Sequence, residues 1–160
     1  MSANAGRRVR GGGGAETWVK ATGNETAGLL EVFEQVTPPG SGPPFHVHRE
    51  CSEALYIVEG RVEVQFEDRV VDATVGAFIF VPRGVGHTYL NVGEEEAKVL
   101  FWFAPAGHMS NYFEELARVS LDSNDEEMIA RIAMKHGVDI IREPSPPWAR
   151  RQVMPDSPAK

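Results

Sequence analysis

Short apolar, β-prone runs, each closed by glycine, proline or a polar turn, follow one another through the first two thirds of the chain. The first is Glu16–Ala21 (ETWVKA), ended by Thr22-Gly23-Asn24; the second is Leu29–Val36 (LLEVFEQV), stopped by Thr37-Pro38-Pro39-Gly40. From His46 the runs come at the spacing of a sandwich or barrel. Glu53–Glu59 and Arg61–Glu67 flank Gly60, which is expected to turn a tight hairpin. Val70–Ala73 is expected to pair back after the turn at Asp68-Arg69. Gly76–Val81 (GAFIFV) is almost wholly apolar, so it is read as buried on both faces or held in a protein contact. Pro82–Gly86 is a loop, His87–Val92 a strand, Gly93–Glu96 a charged turn, and Lys98–Ala104 (KVLFWFA) the last strand.

After Pro105 the period changes. Asn111–Arg118 has helical spacing of Phe113, Leu116 and Ala117. Ser123–His136 predicts a second helix, with Ser123 and Glu126 as a capping box, Met128, Ile129, Ile132 and Ala133 as the apolar stripe, and Gly137 as the stop. These helices are expected on the outside of the barrel or against a neighbouring subunit. The organisation predicted is therefore a flexible arm over 1–15, a β-barrel over 16–106, a helical extension over 107–141 and a flexible tail over 142–160.

Composition narrows the functional classes. The formal charge of −7 argues against nucleic acid or an anionic membrane as partner. One cysteine, Cys51, excludes an internal disulfide and fits a reducing cytoplasm; it reads as a small apolar residue. Apolar runs are strand-length, so no transmembrane helix is expected, and the arginine-bearing start lacks the apolar stretch of a secretory signal.

The chemistry concentrates between Gly40 and Asn91. His46 and His48 form an H-x-H pair, and in an extended segment both imidazoles share one face. Glu53 follows within reach of the same point, and His87 comes from the second cluster. Three neutral imidazoles and one carboxylate are a ligand set for one divalent transition metal (Fe, Ni, Mn, Co, Zn or Cu), with positions left for water or substrate. Glu53 has a second available role as general base, because a carboxylate bound through one oxygen can take a proton from substrate. Tyr89 has the strand parity of His87 and is expected to face the same cavity, as a substrate-orienting or proton-donating group or as lining. Of Phe33, Phe78, Phe80, Phe101 and Phe103, an inward set is expected to wall an apolar pocket suited to a planar organic molecule. Asn91 is read as a turn-stabilising residue, Glu94–Glu96 as a solvated tip, and His108 and His136 as lying outside the site, the latter at a helix C-terminus.

Two motifs carry a family resemblance. Gly40, His46, His48, Glu53 and Gly60 read G-x5-H-x-H-x4-E-x6-G; Gly76, Pro82, Gly84, His87 and Asn91 read G-x5-P-x-G-x2-H-x3-N. Both match the motifs of the cupin superfamily at every position, in the family's order, with the short spacing of small single-domain bacterial members. The resemblance implies an all-β fold, the double-stranded β-helix or jelly-roll barrel, here with C-terminal helices, and His46, His48, Glu53 and His87 as metal ligands. Similarity to quercetinase-like cupins implies a dioxygenase acting on a flavonol-like enol or phenol with O2. An oxygen-independent cyclase, isomerase or lyase of a natural-product pathway and a non-catalytic small-molecule binder are the alternatives. The apolar GAFIFV strand and exposed sheet edges imply a homodimer.

Overall fold

The computed structural model describes residues 6–11, 15–119 and 126–141. Among these described residues, eleven strands and two helices occur in the order β1 (Arg7–Arg10), β2 (Glu16–Ala21), β3 (Glu31–Thr37), β4 (His46–His48), β5 (Ser52–Glu59), β6 (Arg61–Phe66), β7 (Val70–Thr74), β8 (Phe78–Val81), β9 (His87–Asn91), β10 (Ala97–Ala104), α1 (Met109–Arg118), α2 (Glu126–Lys135) and β11 (Val138–Ile140). They form two antiparallel sheets facing each other, one in the order β1-β2-β3-β10-β5-β8 and the other β11-β4-β9-β6-β7. Residues of alternating parity point between the sheets, and Phe33, Leu55, Ile57, Val62, Val64, Val99 and Phe103 fill the interior at 0–1% exposure. Among the described residues no helix is long and apolar enough to cross a membrane.

Four expectations are corrected. Gly60 does turn the chain at φ +82°, and a Cβ there would lie 2.9 Å from the Ala97 Cα, so glycine is required. The turn is not a hairpin, however: β5 belongs to the six-stranded sheet and β6 to the five-stranded one, so Gly60 carries the chain from one layer to the other. Within the expected flexible arm, Arg7–Arg10 is a strand, paired with β2 from Arg7↔Val19 to Arg10↔Glu16. Local composition conceals it because the pairing partner, not the arginine-rich segment, supplies the ladder. Strand β8 is not buried on both faces; Phe78 and Phe80 stand in solvent at the sheet edge. The expected capping residue Ser123 and the tail over 142–160 lie outside the described residues.

The fourth correction concerns the helices. Helix α1 does not coat the outside of the barrel but closes its mouth. Phe113 places its ring 5.1 Å from Phe33 and 6.2 Å from Phe101, and Met109 and Leu116 are buried beside it. Its N-terminus is fixed from a distance. The buried Glu31 carboxylate accepts hydrogen bonds from the Gly107, Met109 and Ser110 backbone N–H groups at 3.2, 2.8 and 3.1 Å, and from the Ser110 hydroxyl. A strand residue thus supplies the cap that His108, in the left-handed region at φ 66°, does not. Beyond α2 the chain returns as β11, which pairs Val138 with His48 and Ile140 with His46.

Candidate metal centre

Strand β4 holds the H-x-H pair because Pro43 and Pro44 keep the preceding segment extended and out of a ladder. That segment is pressed onto β9: a Cβ on Gly42 would sit 1.9 Å from the Tyr89 carbonyl oxygen. On β9, His87 pairs with His46 across the strands. Glu53 enters from the facing sheet at the start of β5, where it pairs with Phe103 and Val81. Two layers and three strands therefore deliver four side chains to one point.

All four are buried, and one ligand atom from each lies within 4.8 Å of the others. The His46 and His48 Nε2 atoms are 3.0 Å apart, Glu53 Oε2 is 3.1 Å from His48 Nε2, and it is 2.8 Å from His87 Nε2. Two rings have fixed tautomers. The His46 Nδ1–H donates to the Pro44 carbonyl at 2.8 Å and the His87 Nδ1–H to the Val85 carbonyl at 3.0 Å, which aims each Nε2 at the shared centre. The His48 Nδ1 is buried with no hydrogen-bond partner among the described residues.

Electrostatics suits this arrangement to a cation. Imidazole lone pairs and a carboxylate at such separations repel unless positive charge, a proton or a metal, lies among them. Burial, followed by the neighbouring His87 and His48, holds His46 well below the usual imidazole range, so it stays a neutral donor. Burial pushes the Glu53 carboxyl up, but hydrogen bonds from His48 and His87 outweigh it and hold the group well below the usual carboxylate range. His87 moves the other way: burial disfavours its charged form, yet the Glu53 carboxylate raises it above the ordinary value. The donor set thus fits a divalent transition metal, whose charge would take the place of the protons that His48 and His87 present to Glu53.

Beside the cluster lies a small cavity of about 60 Å³, lined by Pro43 and Pro44 and by Phe101, Phe103, Phe113, Met109, Tyr112, Val138 and Ile140. The His48 ring centroid is 4.8 Å from that of Phe103. Tyr89 lines this cavity as its parity requires. The Thr37 hydroxyl donates to the Tyr89 oxygen at 2.9 Å, and the Tyr89 O–H donates to Gln35 Oε1 at 2.8 Å. Its proton is therefore committed, and burial raises its pKa further above the ordinary phenol value.

Gln35 and Glu31 were not among the sequence candidates. Both share the parity of Phe33 on β3, which would have marked them as inward-facing polar residues in need of partners. The other expectations resolve individually. Asn91 binds the Thr37 and Glu95 carbonyls and the Gly93 N–H, tying the 93–96 turn. Cys51 is buried, and burial followed by Glu53, Glu31 and Glu50 pushes its thiol up to about 12. His136 bonds Glu115 at 2.8 Å instead of addressing helix carbonyls through its ring, and His108 lies outside the cluster.

Paired sheets enclose a three-histidine, one-carboxylate cluster, residues 33–103 match the cupin domain family, and the chain carries a cupin domain over that stretch. It is 30% identical over 98 residues to the polyketide synthase CurC of Streptomyces cyaneus, covering 61% of this chain and 62% of that one. It is 28% identical over 119 residues to protein SchB of Streptomyces halstedii, covering 74% and 82% respectively. Identity to the quercetin 2,3-dioxygenase of Bacillus subtilis is 27% over 71 residues, 44% of this chain and 21% of that enzyme. A solved RmlC-like cupin from Shewanella frigidimarina superposes with TM-score 0.56 at 23% identity, over 66% of this chain and 89% of that one, which supports the fold.

Proposed function

We propose that the chain is a metal-dependent cupin enzyme: His46, His48, Glu53 and His87 hold one divalent transition metal, and the adjoining cavity receives an enolisable polyketide or phenolic substrate. The observation that carries this reading is the convergence of four buried donor atoms within 4.8 Å of one another at the wall of an aromatic cavity. A bound metal would act there as Lewis acid, polarising a substrate oxygen and acidifying the enol. Phe101, Phe103 and Phe113 supply flat apolar walls for a planar ring. The Tyr89–Gln35 pair orients a substrate oxygen, and Glu53 is the one carboxylate of the cluster placed to take the enol proton.

The substrate must displace part of the closure. A cavity of about 60 Å³ is far below the 300–1,000 Å³ of drug-sized sites, so Met109 and Tyr112 of α1 have to swing away for a polyketide-sized molecule to enter. Ring closure of an enolate onto a carbonyl of the same molecule needs one proton removed and one returned, with no oxidant. The similarity to CurC, longer than that to the dioxygenase, favours this oxygen-independent cyclase reading. The second reading, oxygen insertion into a flavonol-like enol, is favoured by the 71-residue similarity to quercetin 2,3-dioxygenase.

Metal-reconstituted protein should be given aromatic poly-β-ketone and flavonol substrates with and without oxygen. Turnover under nitrogen, lost in His48→Ala, supports the cyclase reading; stoichiometric oxygen uptake, lost in the same variant, supports the dioxygenase reading. Protein that retains metal but transforms neither class in either atmosphere refutes both.

A further inference from the structure

Two tyrosines line the cavity beside the cluster, Tyr89 on β9 and Tyr112 on α1. The Tyr89 proton is engaged, since its O–H donates to Gln35 Oε1 at 2.8 Å. Tyr112 is placed differently. Its backbone N–H donates to the His108 carbonyl at 3.0 Å in the first turn of α1. Its ring lies near those of Phe113, at 5.2 Å between centroids, and His136, at 6.1 Å. His136 is itself held by Glu115 at 2.8 Å, so the ring of Tyr112 is flanked from α1 and from the residue that follows α2. The hydroxyl has no such support. Burial alone acts on its ionisation, pushing the phenol up to about 12, and no hydrogen bond from a described residue offsets it. Nor is the oxygen sealed inside the protein: among the described residues the sealed, unpartnered polar side-chain atoms belong to Thr17, His48 and Gln65. Helix α1 gives the cavity Met109, Phe113 and this one polar residue, whose proton is uncommitted.

Ring closure by the oxygen-independent route uses a base and an acid, and Glu53 accounts only for the base. Resting on that route, we propose that Tyr112 is its acid, a catalytic residue that donates its O–H proton to the substrate oxygen charged by ring closure. The enolate carbon bonds to the carbonyl carbon and the C=O π pair moves onto oxygen. The Tyr112 proton passes to that oxygen, while the O–H bonding pair stays behind on the phenolate. Glu53 by then holds the proton removed to form the enolate. Its passage to the phenolate through water restores both groups, and no oxidant or reductant is consumed. Acidity sets the direction of transfer: an alkoxide is about as basic as hydroxide, whose conjugate water has a pKa of about 15.7, so a phenol near 12 yields its proton to it. At neutral pH the same phenol is fully protonated, loaded before substrate arrives. Its seat on α1 adds timing. The helix has to withdraw for a polyketide-sized molecule to enter, and the acid returns only as the mouth closes.

Tyr112→Phe removes one oxygen and keeps the ring, so fold and metal content are expected to stay, as read by circular dichroism and elemental analysis. In metal-reconstituted protein under nitrogen, with an aromatic poly-β-ketone as substrate, its kcat should fall about 100-fold or more while KM stays in place. Tyr89→Phe, which removes an orienting group, should act on KM instead. A second readout needs no turnover. Indanone, isotope-labelled at its carbonyl, is bound to the full-length protein with and without added metal, and its carbonyl stretch is read by difference infrared spectroscopy. A hydrogen bond from Tyr112 lowers that stretch in the wild type, and Tyr112→Phe should raise it. Equal stretches in the two proteins, or turnover by Tyr112→Phe at the wild-type kcat, overturn the assignment while leaving the oxygen-independent route intact. A wild type that turns over neither substrate class defeats the route and the acid's role in it, even where the carbonyl shift still registers the contact.

Discussion

The two faces of strands β5, β8 and β10 are built from the same kinds of residue put to opposite uses. On the inner face Phe101, Phe103, Leu55 and Val81 are at most 3% exposed, Phe101 and Phe103 wall the cavity, and Glu53 reaches the histidines. On the outer face Phe78, Phe80 and Tyr56 are 40–57% exposed. Hydrophobicity does not separate the two sets; strand parity does, together with which layer stands opposite. The inner aromatics meet a second sheet and α1, while among the described residues the outer ones have no second layer over them. Aromatic content thus reports a surface that needs covering, and topology decides whether the chain itself covers it.

That contrast is broken most sharply at the inner polar cluster. His48→Ala should lower metal affinity by at least about 100-fold, since even the outer partners of metal ligands are worth 10–100-fold. Elemental analysis after dialysis reads the loss, with far-UV circular dichroism confirming the fold. Next comes a direct test of the two faces. Phe33→Ala, which removes a fully buried ring packed on Phe101, Phe103 and Phe113, should cost about 3–5 kcal/mol of unfolding free energy. Phe80→Ala in dilute protein should change it by no more than about 0.5 kcal/mol. Urea titrations of both variants give the comparison.

Removing the distant helix cap is intermediate. Glu31→Ala leaves the first N–H groups of α1 buried without their acceptor and should cost about 2 kcal/mol. Exchange of the α1 amides should accelerate with it, because the helix that closes the mouth loses its anchor. The smallest effect expected is at Cys51. A folded-state pKa raised to about 12 favours the neutral thiol in the native protein, so its contribution is complete below the unfolded thiol's pKa and is lost as pH climbs from about 9 toward 12. Melting temperatures over that interval should fall less for Cys51→Ala than for the wild type.

Sequence alone exposed the cluster of His46, His48, Glu53 and His87 because two of its members lie two residues apart on one strand, where period-two geometry fixes their common direction. It also exposed the position of Tyr89, through parity with His87. What it concealed depends on partners far away in the chain. Strand β11 is three residues long, too short for any periodicity, and exists because β4 offers it an edge. The seating of α1 depends on Glu31, some 76–79 residues from the amides it caps. The role of Gly60 was half visible: its positive φ follows from local chemistry, but the change of sheet follows only from the packing of both layers. Of the two readings of GAFIFV, burial on both faces is excluded by the exposure of Phe78 and Phe80, since apolar sequence does not record whether a second layer is present.

The pairing of β11 with β4 sets an order of events in the making of this protein. Strand β4 is in register with β9 at His46↔His87, and among the described residues its other edge pairs with Val138, Asp139 and Ile140. A growing polypeptide on the ribosome therefore displays all four donor residues some fifty amino acids before the segment that clamps their strand has been synthesised. A product truncated just ahead of Val138 is expected to carry all four donor residues and to hold added metal more poorly than the chain that includes β11.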